Sequence, residues 1–115
     1  MHELSLAGSI LRIVEDAARR ERFARVTRLT LRVGRLSGVG VDALRFALGV
    51  LAGGTCIEGA DIRIEEPPGR ALCLDCDRLT AIEARGEPCA RCGGWRLRPV
   101  EGTELRVVDI LVEDA

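Results

Sequence analysis

Four of the five cysteines fall into two pairs of identical spacing: Cys73 and Cys76 in CLDC, Cys89 and Cys92 in CARC, with twelve residues between the pairs. Each C-x2-C unit can turn two sulfurs toward one point, and a hairpin between the units would bring the pairs together. Four thiolates at about 2.3 Å in a tetrahedron suit Zn²⁺. Four protein ligands leave no open coordination position, so such a site is structural. Residues 70–100 hold too few apolar groups to fold by burial alone, so metal binding must fold them. A mononuclear iron–thiolate site, which would make a coloured, rubredoxin-like electron carrier, is the main alternative. A redox dithiol pair is a weaker one. Two disulfides suit a reducing compartment poorly.

The second constellation is at the start, MHELSLAGSI, where His2 is the only histidine. The bulky second residue should keep Met1 in place. The terminus then offers the Met1 amine, the backbone amide nitrogens of His2 and Glu3, and the His2 imidazole. Four nitrogens in a near-plane suit Ni²⁺ or Cu²⁺, and the Glu3 carboxylate could add an oxygen. The bland alternative is a frayed end with a solvated histidine. A catalytic Ser/His/Asp or Cys/His triad is not expected from a lone terminal histidine. GRLSGVG lacks the lysine of a phosphate loop. No enzyme is expected. Cys56, away from both pairs, reads as a lone buried thiol.

These groups need elements to hold them. Residues 3–21 read as an amphipathic helix, with Leu4, Ala7, Leu11, Val14 and Ala18 on the buried stripe, widened by Ile10 and Ala17. VTRLTLRVG alternates as a half-buried strand, with Leu29, Leu31 and Val33 inward and Arg28, Thr30 and Arg32 outward. After the glycine-rich GRLSGVG, the stretch VDALRFALGVLAG predicts a second helix that shows Leu44, Leu48 and Leu51 on one face. It carries only two charges and should be largely buried. ADIRIEE predicts a strand burying Ile62 and Ile64, broken by Pro67-Pro68-Gly69. ELRVVDILVED predicts a last strand, with a bulge or twist at Val107-Val108. The expected fold is α+β: two helices packed on a small three-stranded sheet, with an inserted zinc-ribbon-like module. The expected division is residues 1–69 with 101–115 as one α+β domain, and 70–100 as the inserted zinc-binding module.

Composition narrows the function. The formal net charge of the chain is -1, which leaves no electrostatic footprint for nucleic acid or an anionic membrane. Within residues 70–100 six arginines stand against four acids. Four thiolates and one Zn²⁺ add two negative charges, so the module is neutral. Trp95 is its only aromatic and reads as packing for the zinc knuckle, or else as an anchor for a protein contact. A neutral module with one ring makes a poor base-stacking platform, which counts against the other reading of the cysteines, a zinc-ribbon interaction module for nucleic acid or a transcription complex. No apolar run is long enough to span a membrane, and no signal peptide is evident at the start. A cytoplasmic location is expected.

Taken together, MHELSLAGSI, VGRLSGVGVDALRFAL, the GT and IEE that follow, the two C-x2-C pairs and the closing hydrophobic strand resemble the HypA/HybF family of hydrogenase maturation nickel metallochaperones. The resemblance runs over essentially the whole chain. It implies that His2, Glu3 and the Met1 amine bind nickel as cargo and that Cys73, Cys76, Cys89 and Cys92 hold structural zinc. It also implies a partner GTPase, delivery to the large subunit of a nickel–iron hydrogenase, and in some organisms a role with urease maturation proteins. One departure stands out. Relatives that place an acid near the nickel, in the loop before the second helix, align it with Gly40 here. Asp42, two residues on, is expected to cap that helix instead.

Overall fold

The structure, a computed structural model, describes residues 3–114. Eight elements follow in order. They are α1 (Glu3–Glu21), β1 (Phe23–Val33), α2 (Val41–Ala52), β2 (Asp61–Glu65), β3 (Gly69–Cys73), β4 (Leu79–Ile82), β5 (Leu97–Glu101) and β6 (Leu105–Asp114). They make two three-stranded sheets, one in the order β2-β1-β6 and one in the order β4-β3-β5. The architecture is the expected α+β one.

The chain divides into two compact units. The first holds the residues up to Leu31, Val39–Ile64 and those from Val107 onward; the second holds Arg32–Gly38 and Glu65–Arg106. In the first, α1 and α2 pack together, burying Ala7, Ile10 and Val14 from α1 and Leu44, Ala47 and Leu48 from α2. The acidic Glu3 opens α1 and Arg19 and Arg20 close it, both favourable to the helix dipole. Arg22 adopts the left-handed conformation (φ 57°) that ends the helix and turns the chain into β1. The residues that α1 buries all belong to the expected stripe, but its first member does not reach the core. Leu4 is 56% exposed, and Ile10 takes the core position that its size suits.

Two further expectations change. The second helix is not largely buried: Phe46 is 75% and Val50 60% exposed, because an amphipathic helix packed on one side leaves its far stripe in water. Thr30 is buried on the face expected to be open, so that face of β1 is covered at this position. Ile62 and Ile64 do alternate inward, though only half-buried.

In the second unit β3 is the central strand. It pairs antiparallel with β4 and with β5. Leu36, Ala71 and Ile82 form its apolar cluster, with Leu97 packed against them. The β3–β5 register slips between Arg70 and Ala71. Pro99, which has no amide hydrogen to donate, lies on the edge strand where that deficit costs least.

Candidate metal centre

The two cysteine pairs sit on two turns built the same way. In the first, the Cys73 carbonyl accepts the Asp77 amide at 2.8 Å and the Cys73 amide donates to the Arg78 carbonyl at 2.9 Å. In the second, the Cys89 carbonyl accepts the Gly93 amide at 2.8 Å and the Cys89 amide donates to the Gly94 carbonyl at 2.7 Å. Each turn passes through a left-handed residue at the same place, Asp77 (φ 59°) and Gly93 (φ 76°). That reversal folds each pair of sulfurs back to one side. In the second turn, backbone amides also point at sulfur: Arg91 N to Cys89 Sγ at 3.4 Å and Gly94 N to Cys92 Sγ at 3.3 Å. Such donors stabilise thiolate charge.

The four Sγ atoms of Cys73, Cys76, Cys89 and Cys92 lie within 4.8 Å of one another. Across the turns, Cys73 and Cys92 are 3.6 Å apart and Cys76 and Cys89 3.9 Å. A tetrahedron with bonds of about 2.3 Å has edges of about 3.8 Å. The cluster therefore has the size of a tetrathiolate zinc site, and the separations exceed the roughly 2.05 Å of a disulfide. Cys73 and Cys89 are buried, Cys76 is half-buried and Cys92 exposed. Hydrogen bonding with the Cys92 backbone, aided by that with Arg91, pulls the Cys89 thiol down to about 6, whereas burial and neighbouring thiols push Cys76 up to about 12. Thiols this close titrate as a coupled set rather than one by one.

Side chains brace the turns from outside. Arg96 Nε donates to Asp75 Oδ1 at 2.7 Å, and this bond holds the Asp75 carboxyl below its ordinary range. Arg91 Nε donates to the Leu79 carbonyl at 3.2 Å, tying the second turn to β4. Trp95 is 69% exposed, so the ring is not the buried packing expected for the knuckle.

Of the expected nickel ligands, Met1 and His2 lie outside the described residues. Glu3 is described. Its Oε2 accepts the Gly40 amide at 3.0 Å. Gly40 is the N-cap residue of α2 and supplies no side-chain cap. Asp42 is not the cap expected of it; it lies inside the first turn, where its charge still suits the helix dipole. Cys56 is half-buried rather than buried. It lines a cavity of about 200 Å³ with Glu15, Ala18, Arg19, Phe23 and Ala24, where burial and then the Glu15 charge push its thiol up. That raised thiol is a poor nucleophile. The Glu3–Gly40 contact joins residues far apart in sequence, and nothing local to either residue signals it.

A family model described as hydrogenase/urease nickel incorporation, metallochaperone, HypA matches residues 1–112. A protein named hydrogenase maturation factor HypA from Cupriavidus necator is 66% identical over 114 residues, covering 99% of this chain and 96% of the other. A protein of the same name from Polaromonas naphthalenivorans is 55% identical over 114 residues, covering 99% of each. The fold matches the solution structure of the Ni metallochaperone HypA from Helicobacter pylori with a TM-score of 0.69, at 19% identity over 100% of both chains. A second solution structure, of a HypA protein, gives a TM-score of 0.65 at 20% identity, covering 97% and 96%. Among the described residues no helix is long and apolar enough to cross a membrane.

Proposed function

Since the chain belongs to the HypA family of hydrogenase/urease nickel-incorporation metallochaperones, we propose that it carries Ni(II) from its amino terminus to the assembling active site of a nickel–iron hydrogenase. The observation that carries this reading is the family match over residues 1–112. Nickel is the cargo, taken up by the Met1 amine, the His2 imidazole and the backbone amides of His2 and Glu3. Such a nitrogen set is selective through ligand type and geometry. At a chain end few packed groups must move to release the ion. The protein is a carrier and not an enzyme, it works in the cytoplasm, and its partners are a maturation GTPase and the hydrogenase large subunit, with urease maturation proteins as further recipients.

Cys73, Cys76, Cys89 and Cys92 hold Zn²⁺. Zinc closes the two turns into one knuckle and has no open position for substrate. Residues 1–69 with 101–115 serve nickel, and 70–100 serve zinc.

Calorimetric titration with Ni(II) tests the cargo site on three zinc-loaded proteins: the chain with its native start, a chain extended by one N-terminal residue, and His2→Ala. The expected result is a strong site in the first, a weakened or altered one in the second and none in the third. Binding should also weaken below about pH 6.5, as the amine and imidazole gain protons. Indistinguishable isotherms for all three proteins would overturn the terminal site.

A further inference from the structure

α2 begins without the means to cap itself. Its N-cap residue is Gly40, which has no side chain, and the structure shows no side-chain cap bond from it. The first helical bond, Leu44 N to the Gly40 carbonyl at 2.9 Å, uses only Gly40's oxygen. In a capping box, a Glu or Gln three residues into the helix returns to accept the N-cap amide. Here that position is Ala43, which has nothing to offer. The Gly40 amide instead donates to Glu3 Oε2 at 3.0 Å, across 37 residues of sequence. Glu3 also stands in the first turn of α1. One carboxylate thus sits at the N-termini of two helices, where negative charge is favoured, and its bond to the amide is charge-assisted.

We propose that Glu3 is a positioning residue: its carboxylate is the missing cap of α2, and its part in nickel binding is to fix where α1 begins, not to give the ion an oxygen. The nickel half of this statement rests on the carrier reading above. If Oε2 were spent on the ion, the Gly40 amide would lose the acceptor that the structure gives it. Held in the cap, Glu3 ties the residue that directly follows Met1 and His2 to the start of α2. A ligand set at a chain terminus is labile, and a fixed first residue of the following helix limits the conformations it must search. That lowers the entropy lost on binding.

The geometry supplies its own test. Gly40 has φ -77°, within the range of proline. An added Cβ would meet Glu3 Oε2 at 3.6 Å and the Ala43 Cβ at 3.7 Å, ordinary contacts. Gly40→Pro therefore deletes the amide hydrogen at a φ that proline adopts, its Cδ displacing the Glu3 carboxylate from the nitrogen, and Gly40→Ala keeps the hydrogen as a control. Glu3→Gln retains an oxygen that can accept the bond but is a poor nickel ligand; Glu3→Ala retains none.

Zinc-loaded full-length proteins with the native start should be compared by thermal melting without nickel and by Ni(II) calorimetry. Glu3→Ala and Gly40→Pro should each lower the melting midpoint by roughly 4–8 °C. The double variant should fall no further than either single one. Both should weaken Ni(II) binding several-fold, and Glu3→Gln should recover most of the loss in each measurement. Gly40→Ala, which keeps the amide hydrogen, should fall less than Gly40→Pro.

If Glu3→Gln melts like the wild type but loses nickel as fully as Glu3→Ala, the carboxylate is a ligand and the proposal is wrong. Additive midpoint losses in the double variant also overturn it, because the two groups then do not act through one bond. A wild type that takes up no Ni(II) overturns the carrier reading and with it the nickel half; the melting comparison then decides the cap by itself.

Discussion

Asp77 and Gly93 hold the same place in the two cysteine turns, yet only one of them is glycine. Both need a left-handed backbone, which costs a residue with a Cβ about 1 kcal/mol or more, somewhat less for Asp. Asp77→Gly should therefore leave zinc retention equal or better, while Gly93→Ala should weaken it by about 1 kcal/mol in competition with a chelator. Equal retention in the two variants would show that the turns tolerate either conformation. The sulfurs carry a pH signature as well. Cys89 is drawn down to about 6 and Cys76 up to about 12. A thiol with a lowered value stabilises the metal-free fold above its ordinary pKa, and that contribution is lost as pH falls through about 6. One with a raised value contributes below its ordinary pKa, and the contribution is lost as pH rises toward 12. Zinc uptake at pH 7 should accordingly release fewer than four protons, since Cys89 arrives ionised, with the number climbing as pH drops below 6. Calorimetry in buffers of different ionisation enthalpy measures this, and four protons released at pH 7 would contradict the split. These ligands were legible in the sequence because each pair closes within four residues. The Glu3–Gly40 bond was not legible, because nothing local to either residue names its partner. Nor was the exposure of Trp95.

At the scale of elements, periodicity found α1 over its full observed length and α2 to within one residue, since the apolar repeat in each stops where the helix stops. Periodicity was less exact about how deep each residue lies. Of the expected stripe, Ala7, Ile10 and Val14 are buried, whereas Leu11 and Ala18 are only half-buried and Leu4 is mostly exposed. Apolar residues on adjacent rows of a helix satisfy two neighbouring stripes, and only the partner surface selects between them. In α2 the expected face is the buried one, with Leu44 and Leu48 inside and Phe46 outside. Residue size would rank Phe46→Ala as the worse loss. Burial reverses the order: Leu48→Ala should cost about 2–5 kcal/mol, whereas Phe46→Ala should stay within about 0.5 kcal/mol. Ala7→Leu, inserting volume at a site with no exposed surface, should cost about 1–3 kcal/mol, and Leu4→Ala almost nothing. Denaturant melts of the four zinc-loaded variants check the ranking. A Phe46→Ala loss equal to that of Leu48→Ala would mean that the exposed stripe is covered in solution.

At the scale of the molecule, the cysteine unit is larger than the run of residues between its first and last ligand. It draws in Arg32–Gly38 and extends from Glu65 to Arg106. Leu36, from the first of these stretches, completes the cluster of Ala71, Ile82 and Leu97. Its amide donates to the Gly102 carbonyl at 2.7 Å, beside Arg35 N to Pro67 O at 3.1 Å and Gly34 N to Glu104 O at 2.8 Å. Three separated stretches therefore cross at one point, and glycine makes the crossing possible. A Cβ on Gly34 would overlap the Gly102 carbonyl, and one on Gly69 would stand 2.5 Å from the Leu36 Cγ. Backbone cannot yield as a flexible side chain can, so Gly34→Ala should cost about 3 kcal/mol or more, above the ordinary range for point substitutions. A peptide of residues 70–100 retains all four thiols but lacks Leu36 and the crossing. It should still take up Zn²⁺, because metal binding can fold so short a stretch, yet it should surrender the ion to a chelator faster and with a larger equilibrium loss than the full chain. Gly34→Ala in the full chain should shift zinc retention in the same direction. Equal retention by peptide, variant and wild type would mean that the four sulfurs alone determine zinc affinity and that the crossing only connects the stretches.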